Sequence, residues 1–204
     1  MRHLLIFSAA LACAGCAATP AQPAAPADDF LSALAQHCGK AYAGRIVSNE
    51  PKPARPDAFE GKPLVMHVRG CDAPASRIEV PFHVGDDRSR TWVLSRTDSG
   101  LRLKHDHRHQ DGSPDAVTLY GGDTASAGTA MRQEFPADAE SVAMFKREGL
   151  EVSVSNTWAM EIVPGERFLY ELSRPNGPNG RLFVVVFDLS RPVALPPAPW
   201  GATE

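Results

Sequence analysis

The chain has 204 residues and a formal net charge of −3, with 21 Lys and Arg against 24 Asp and Glu scattered along its length. That spread forms no basic patch or arm, so nucleic acid is not an expected partner. Beyond the N-terminal segment about 175 residues remain, enough for one domain with a single sizeable core.

At the N-terminus Arg2 and His3 precede the apolar run Leu4 to Ala12, and small residues follow from Ala14 to Ala18. This is the pattern of an export signal over residues 1–15. The run is about half of the roughly 20 residues that a membrane-crossing helix needs. The segment Cys13-Ala14-Gly15-Cys16 resembles a bacterial lipobox, in which small residues lead to a cysteine that is diacylated and becomes the new N-terminus. The resemblance implies lipidation at Cys16. Cys13 stands where a lipobox usually carries Leu and is the second candidate, while cleavage near Ala18 would instead give a soluble periplasmic or secreted protein.

Residues 16–27 read as a flexible spacer, because Thr19 to Ala27 holds three prolines, no charge and no large apolar group. Two acyl chains hold a protein stably on a bilayer. Ala17, by resemblance to sorting rules that reject Asp at that position, implies anchoring to the outer membrane with the domain facing the periplasm. With Cys13 removed and Cys16 acylated, Cys38 and Cys71 remain, and an even pair in an oxidising compartment is expected to form a disulfide.

The domain is expected over residues 28–195, with a disordered tail at 196–204. It opens on a short helix with Asp28 or Asp29 as cap, Phe30, Leu31, Leu34 and Cys38 on one face, and Gly39 as its stop. Strands follow at Ala41 to Ser48, Leu64 to Gly70, Arg77 to Val84, Thr91 to Arg96, Leu101 to His109 and Ala116 to Gly121. Four more are expected at Ala130 to Phe135, Leu150 to Ile162, Glu166 to Leu172 and Arg181 to Leu189. Turn sequences such as Gly85-Asp86-Asp87, Asp98-Ser99-Gly100 and Pro164-Gly165-Glu166 make sequential strands antiparallel neighbours. Between Asp138 and Glu148, Val142 and Phe145 stand three apart before Gly149, so a second short helix is expected there.

About eight to ten antiparallel strands on tight turns must hide two edges, and an up-and-down β-barrel does so by closing on itself. A β-sandwich is the alternative. The leading helix, Gly44 just after Tyr42 in the first strand and strong alternation near the C-terminus together resemble a calycin, the superfamily of lipocalins and fatty-acid-binding proteins. The resemblance covers most of residues 28–192 and is architectural, since Tyr42-Ala43-Gly44 stands where lipocalins carry Gly-x-Trp.

Chemistry concentrates in the strand from Leu101 to His109. Side chains alternate faces with period two, which puts Leu101, Leu103, His105, His107 and His109 on one face and Arg102, Lys104, Asp106 and Arg108 on the solvated one. Histidines on alternate positions can present two ligands to a transition metal or a haem. His67, His83, Asp123 and Glu134 are the candidates for a further ligand. Val152, Val154, Asn156, Trp158 and Met160 alternate in the same way, placing Trp158 inside with Asn156 as the polar member. Tyr120-Gly121-Gly122-Asp123 lacks the lysine of a phosphate loop and reads as a bulge or turn. Leu182 to Phe187 is apolar on both faces, so the first helix is expected to cover its outer side.

Three readings of function follow. The first is a tethered barrel that binds a small, partly apolar ligand among Leu103, His107, Asn156, Trp158 and Met160. The second is a metal- or haem-binding protein centred on His105, His107 and His109. The third is a structural or assembly lipoprotein with a filled barrel and a protein partner on its outer face. No catalytic constellation is recognisable, so an enzyme is the weaker expectation.

Overall fold

The structure is a computed structural model that describes residues 25–53 and 57–202. The segment read as an export signal, with Cys13 and Cys16, lies outside the described residues, as does most of the stretch read as a spacer. Among the described residues no helix is long and apolar enough to cross a membrane.

The chain is mainly β. Helix α1 (Pro26–Ala35) leads into β1 (Lys40–Glu50), β2 (Leu64–Val68), β3 (Gly70–Ala73), β4 (Arg77–Val84), β5 (Asp87–Arg96), β6 (Leu101–His107) and β7 (Tyr120–Asp123). After β8 (Arg132–Pro136) come helix α2 (Ala139–Arg147), a 3-10 turn at Glu151–Ser155, β9 (Thr157–Val163), β10 (Arg167–Arg174) and β11 (Arg181–Val193). All pairings are antiparallel, in the order β7-β6-β5-β4-β2-β1-β11-β10-β9-β8, with β3 an extra partner of β4. The last strand returns to the first, Gly44 opposite Phe187, and the sheet curls into a nearly closed barrel of eleven strands.

The remaining seam lies between β7 and β8, and α2 bridges it. Asp138 N–H donates to Gly121 O at 2.8 Å. The buried Ser141 hydroxyl accepts from Gly121 N–H at 2.8 Å and stands 3.0 Å from Gly121 O. Asp138 caps α2 by accepting from Ser141 N–H, and Lys104 ties the same corner to Asp138 and Glu140. The approach demands glycine: a Cβ on Gly121 would lie 2.0 Å from Leu103 O, and one on Gly122 would lie 1.9 Å from Pro136 O. The dipeptide is therefore part of strand β7, not a free bulge or turn.

Helix α1 starts earlier than its sequence cap suggests. Pro26 occupies the first turn, where its missing N–H costs nothing, and Asp28 and Asp29 face the positive end of the helix dipole. Gly39, at φ 76°, permits the turn into β1. Phe30, Leu31 and Leu34 are buried in the same cluster as Met66, Leu94, Met160 and Phe187. Asp28 pairs with Arg96 at 2.5 Å, beside the β5–β6 turn. The helix thus plugs that end of the barrel instead of covering the outer face of β11. On β11 Phe183, Val185 and Phe187 point inward, and Leu182 is left exposed.

Two expected strands are shorter than their apolar patterns. After α2 ends at Arg147, Leu150 N–H returns to Phe145 O and Ser153 N–H to Leu150 O, so 151–155 coils tightly and β9 begins only at Thr157. Before β7, Asp115 caps Val117 N–H at 2.7 Å and Leu119 adopts φ 55°, which breaks an extended run. Residues 196–202, within the stretch read as a tail, lie along the sheet exterior: Pro199 is buried and Trp200 N–H donates to Arg88 O.

Cys38 and Cys71 form a disulfide that joins the end of α1 to β3 across 33 residues of sequence. Replacing both with Ala should lower unfolding stability by about 3 kcal/mol in urea titrations; an unchanged midpoint would mean that the crosslink is redundant with the plug. At the seam, Gly122→Ala should cost more than about 3 kcal/mol or prevent folding, because the added methyl meets backbone. Gly149→Ala, at φ 70° with nothing within 4 Å of the added atom, should cost only roughly 1–2 kcal/mol.

Candidate functional site

The end of the barrel opposite α1 is open and holds a cavity of about 340 Å³. Its walls come from strand ends brought together by register. Arg90 on β5 faces His107 on β6, Leu172 on β10 pairs with Trp158 on β9, and Arg174 pairs with Arg181 across the β10–β11 hairpin. Tyr120, Phe145, Tyr170 and Phe183 complete the apolar part, with Phe59 from the β1–β2 connection. Each of the two tyrosines carries one polar group into an otherwise apolar wall.

Beneath the cavity His105 is fixed from both sides. Tyr120 O can only accept, so Nδ1 carries the proton and donates across 3.1 Å. Nε2 therefore accepts from the Tyr170 hydroxyl at 2.9 Å. The ring stacks on Tyr120 with centroids 4.6 Å apart, and Trp92 stacks on Tyr170 at 4.5 Å. His107 and the Tyr120 hydroxyl share a hydrogen bond of 3.1 Å. Burial holds His105 down to about 3, and the nearby His107 adds to the effect. Burial, then the Arg90 charge, holds His107 down to about 4, while burial pushes Tyr120 up to about 12. The floor is thus neutral at ordinary pH and offers hydrogen bonds without charge.

Charge sits at the rim. Arg90 pairs with Asp87 at 2.5 Å and lies over the Phe59 ring. Arg181 stands 3.5 Å from Asp57 and over Phe183. Arg174 has neutral partners, Asn179 O at 2.8 Å and Asn156 Oδ1 at 3.3 Å. Burial and the charge of Arg181 both lower its proton affinity. Asp115 is the one carboxylate among the lining residues.

Of the residues expected to line a ligand site, His107, Asn156 and Trp158 do so. Leu103 and Met160 are fully buried in the core below. The histidine strand splits three ways: His105 is enclosed, His107 lines the cavity, and His109 lies past the end of β6 with an exposed side chain 4.0 Å from Asp115. His67 and His83 are buried on β2 and β4, His83 on the outward face beside Pro196 and Pro197. Asp123 pairs with Arg102, and Glu134 with Arg132. Among the described residues no three His, Cys, Asp or Glu side chains gather as a metal-binding group. The sequence reading missed Arg90, Tyr120, Tyr170, Arg174 and Arg181. Period-two alternation through Tyr170, Leu172 and Arg174, and through Arg181, Phe183 and Val185, carries the signal for three of them.

No protein-family model matches the chain, and neither does any curated protein or solved structure.

The histidine charges set an acid limit on stability. The unfolded value is about 6.5, so between that pH and about 4 the unfolded chain binds protons that buried His83, His105 and His107 refuse. Stability is complete above about 6.5 and declines as pH falls to about 4, by roughly 1 kcal/mol per pH unit for His105 alone. Urea midpoints measured from about pH 7.5 to 4.5 should fall along this course, and His105→Gln should make it shallower while His83 and His107 still contribute; a flat wild-type profile would contradict the burial of these histidines.

Proposed function

We propose that the chain is an envelope lipoprotein, tethered through Cys16, whose barrel binds a small, partly apolar molecule in the open-ended cavity. The observation that carries this reading is the aromatic wall around about 340 Å³ of space, with polar groups confined to its floor and rim. Binding sites for small molecules have this composition: mostly apolar surface, with a few placed polar groups that fix orientation. The space lies at the lower end of the range of small-molecule sites. The nearly closed barrel and the plug at the far end pre-form the walls, which lowers the ordering cost of binding. The proline-rich spacer and lipid anchor would keep the cavity at the membrane surface while leaving it free to meet its ligand.

The neutral fluorophore N-phenyl-1-naphthylamine tests the cavity without using charge. Its emission should rise on binding to a single saturable site, and Ser153→Trp, which fills the cavity from the exposed 3-10 turn, should abolish the rise without lowering the melting temperature. Binding that survives Ser153→Trp would place the probe elsewhere and remove the reading.

A further inference from the structure

We infer that the cavity's ligand carries a negative charge, which Arg174 and Arg181 receive at the rim while its apolar part lies inward against Trp158, Leu172 and Phe183. This rests on the reading of the cavity as a binding site and adds the chemistry and orientation of what it holds.

Arg174 and Arg181 are direct cross-strand partners on β10 and β11, and both side chains line the cavity. Like charges in that relation destabilise a sheet. The usual remedy is a carboxylate between them, and none is present among the described residues. Among the described residues Arg174 is hydrogen-bonded to a backbone carbonyl and the Asn156 amide oxygen. Arg181 has Asp57, but at 3.5 Å, and that carboxylate already accepts from the Asn49 side chain and from the N–H groups of Phe59 and Glu60. The Arg181 side chain is only 17% exposed, so water screens it poorly.

The third rim arginine does not supply the missing anion site, since Arg90 is already occupied by Asp87. Asp115 belongs to the connection between β6 and β7, where it accepts from Val117 N–H and stands near His109. The hairpin side of the rim therefore holds more positive charge than its own carboxylates balance. Guanidinium groups present paired N–H donors in a plane that matches a carboxylate or a phosphate-type oxygen pair. Directly inward on the same strands come Leu172 and Phe183, then Tyr170, so an anion seated on the arginines points its remainder into apolar surface.

Three molecules with one tail and different heads separate the outcomes: octanoate, 1-octanol and octylamine, titrated calorimetrically into the full-length protein. Octanoate should bind at least about tenfold more tightly than octanol, and Arg174→Gln should remove that advantage without lowering the melting temperature, since it also removes the like-charge pair with Arg181. Arg174→Lys should recover part of it by restoring charge without the planar fork. Equal affinity for octanoate and octanol, or a preference for octylamine directed by Asp115, would overturn the anionic assignment and leave the cavity reading intact. Failure of all three together with N-phenyl-1-naphthylamine would overturn both.

Discussion

The closure between β7 and β8 is the constraint on which the rest depends. A meander of this length ends in two edges, each with backbone groups that need partners. Here the two edge strands are four and five residues long, and a serine hydroxyl with one backbone N–H from the start of α2 does the work of a ladder. The arrangement tolerates no side chain at Gly121 or Gly122 because the opposing atoms are backbone and cannot turn aside. Tyr120 immediately precedes that pair and Phe145 of α2 packs on its ring, 5.4 Å between centroids. The cavity wall and the barrel closure are therefore one construction.

The interior divides along the barrel axis. Towards α1 the space is filled mainly by apolar side chains such as Leu94, Leu101 and Phe168, with one buried polar pair, Tyr42 and His37, hydrogen-bonded at 2.7 Å. Towards the open end the buried rings change to Trp92, His105, Tyr120 and Tyr170, whose polar atoms need partners. His105 donates to the Tyr120 carbonyl and accepts from the Tyr170 hydroxyl, and His107 partners the Tyr120 hydroxyl. A single imidazole thus ties β6, β7 and β10 together at the level where the apolar core gives way to the cavity. Its neutrality is necessary, since a charge enclosed there would have no counterion.

Much of this was legible in the sequence, and the losses have identifiable causes. Alternation located most strands and the inward face of β6 as far as His107, because period two holds wherever the ladder continues. It failed at His109, where β6 has ended and the chain turns back, Gly112 N–H donating to His109 O and Arg108 bridging to Pro114. It also overextended the strand before Trp158, since Val152 and Val154 satisfy a strand pattern while the backbone coils. The plug by α1 could not be read, because an apolar helix face fits an open barrel end or the outside of a sheet equally well. The glycine pair was visible, but its reason was not: the atoms it must admit belong to Leu103 and Pro136, distant in sequence.

The rim shows how a charge can be fixed in place without being cancelled. A carboxylate would hold Arg174 firmly and also neutralise it, whereas the Asn156 and Asn179 oxygens orient the guanidinium and leave its charge intact. The cost is a like-charge contact with Arg181 on the facing strand. Negative charge brought to the mouth would relieve that contact. The neutral floor reinforces the asymmetry. With His105 and His107 unprotonated, the positive charge of the cavity stays at its entrance.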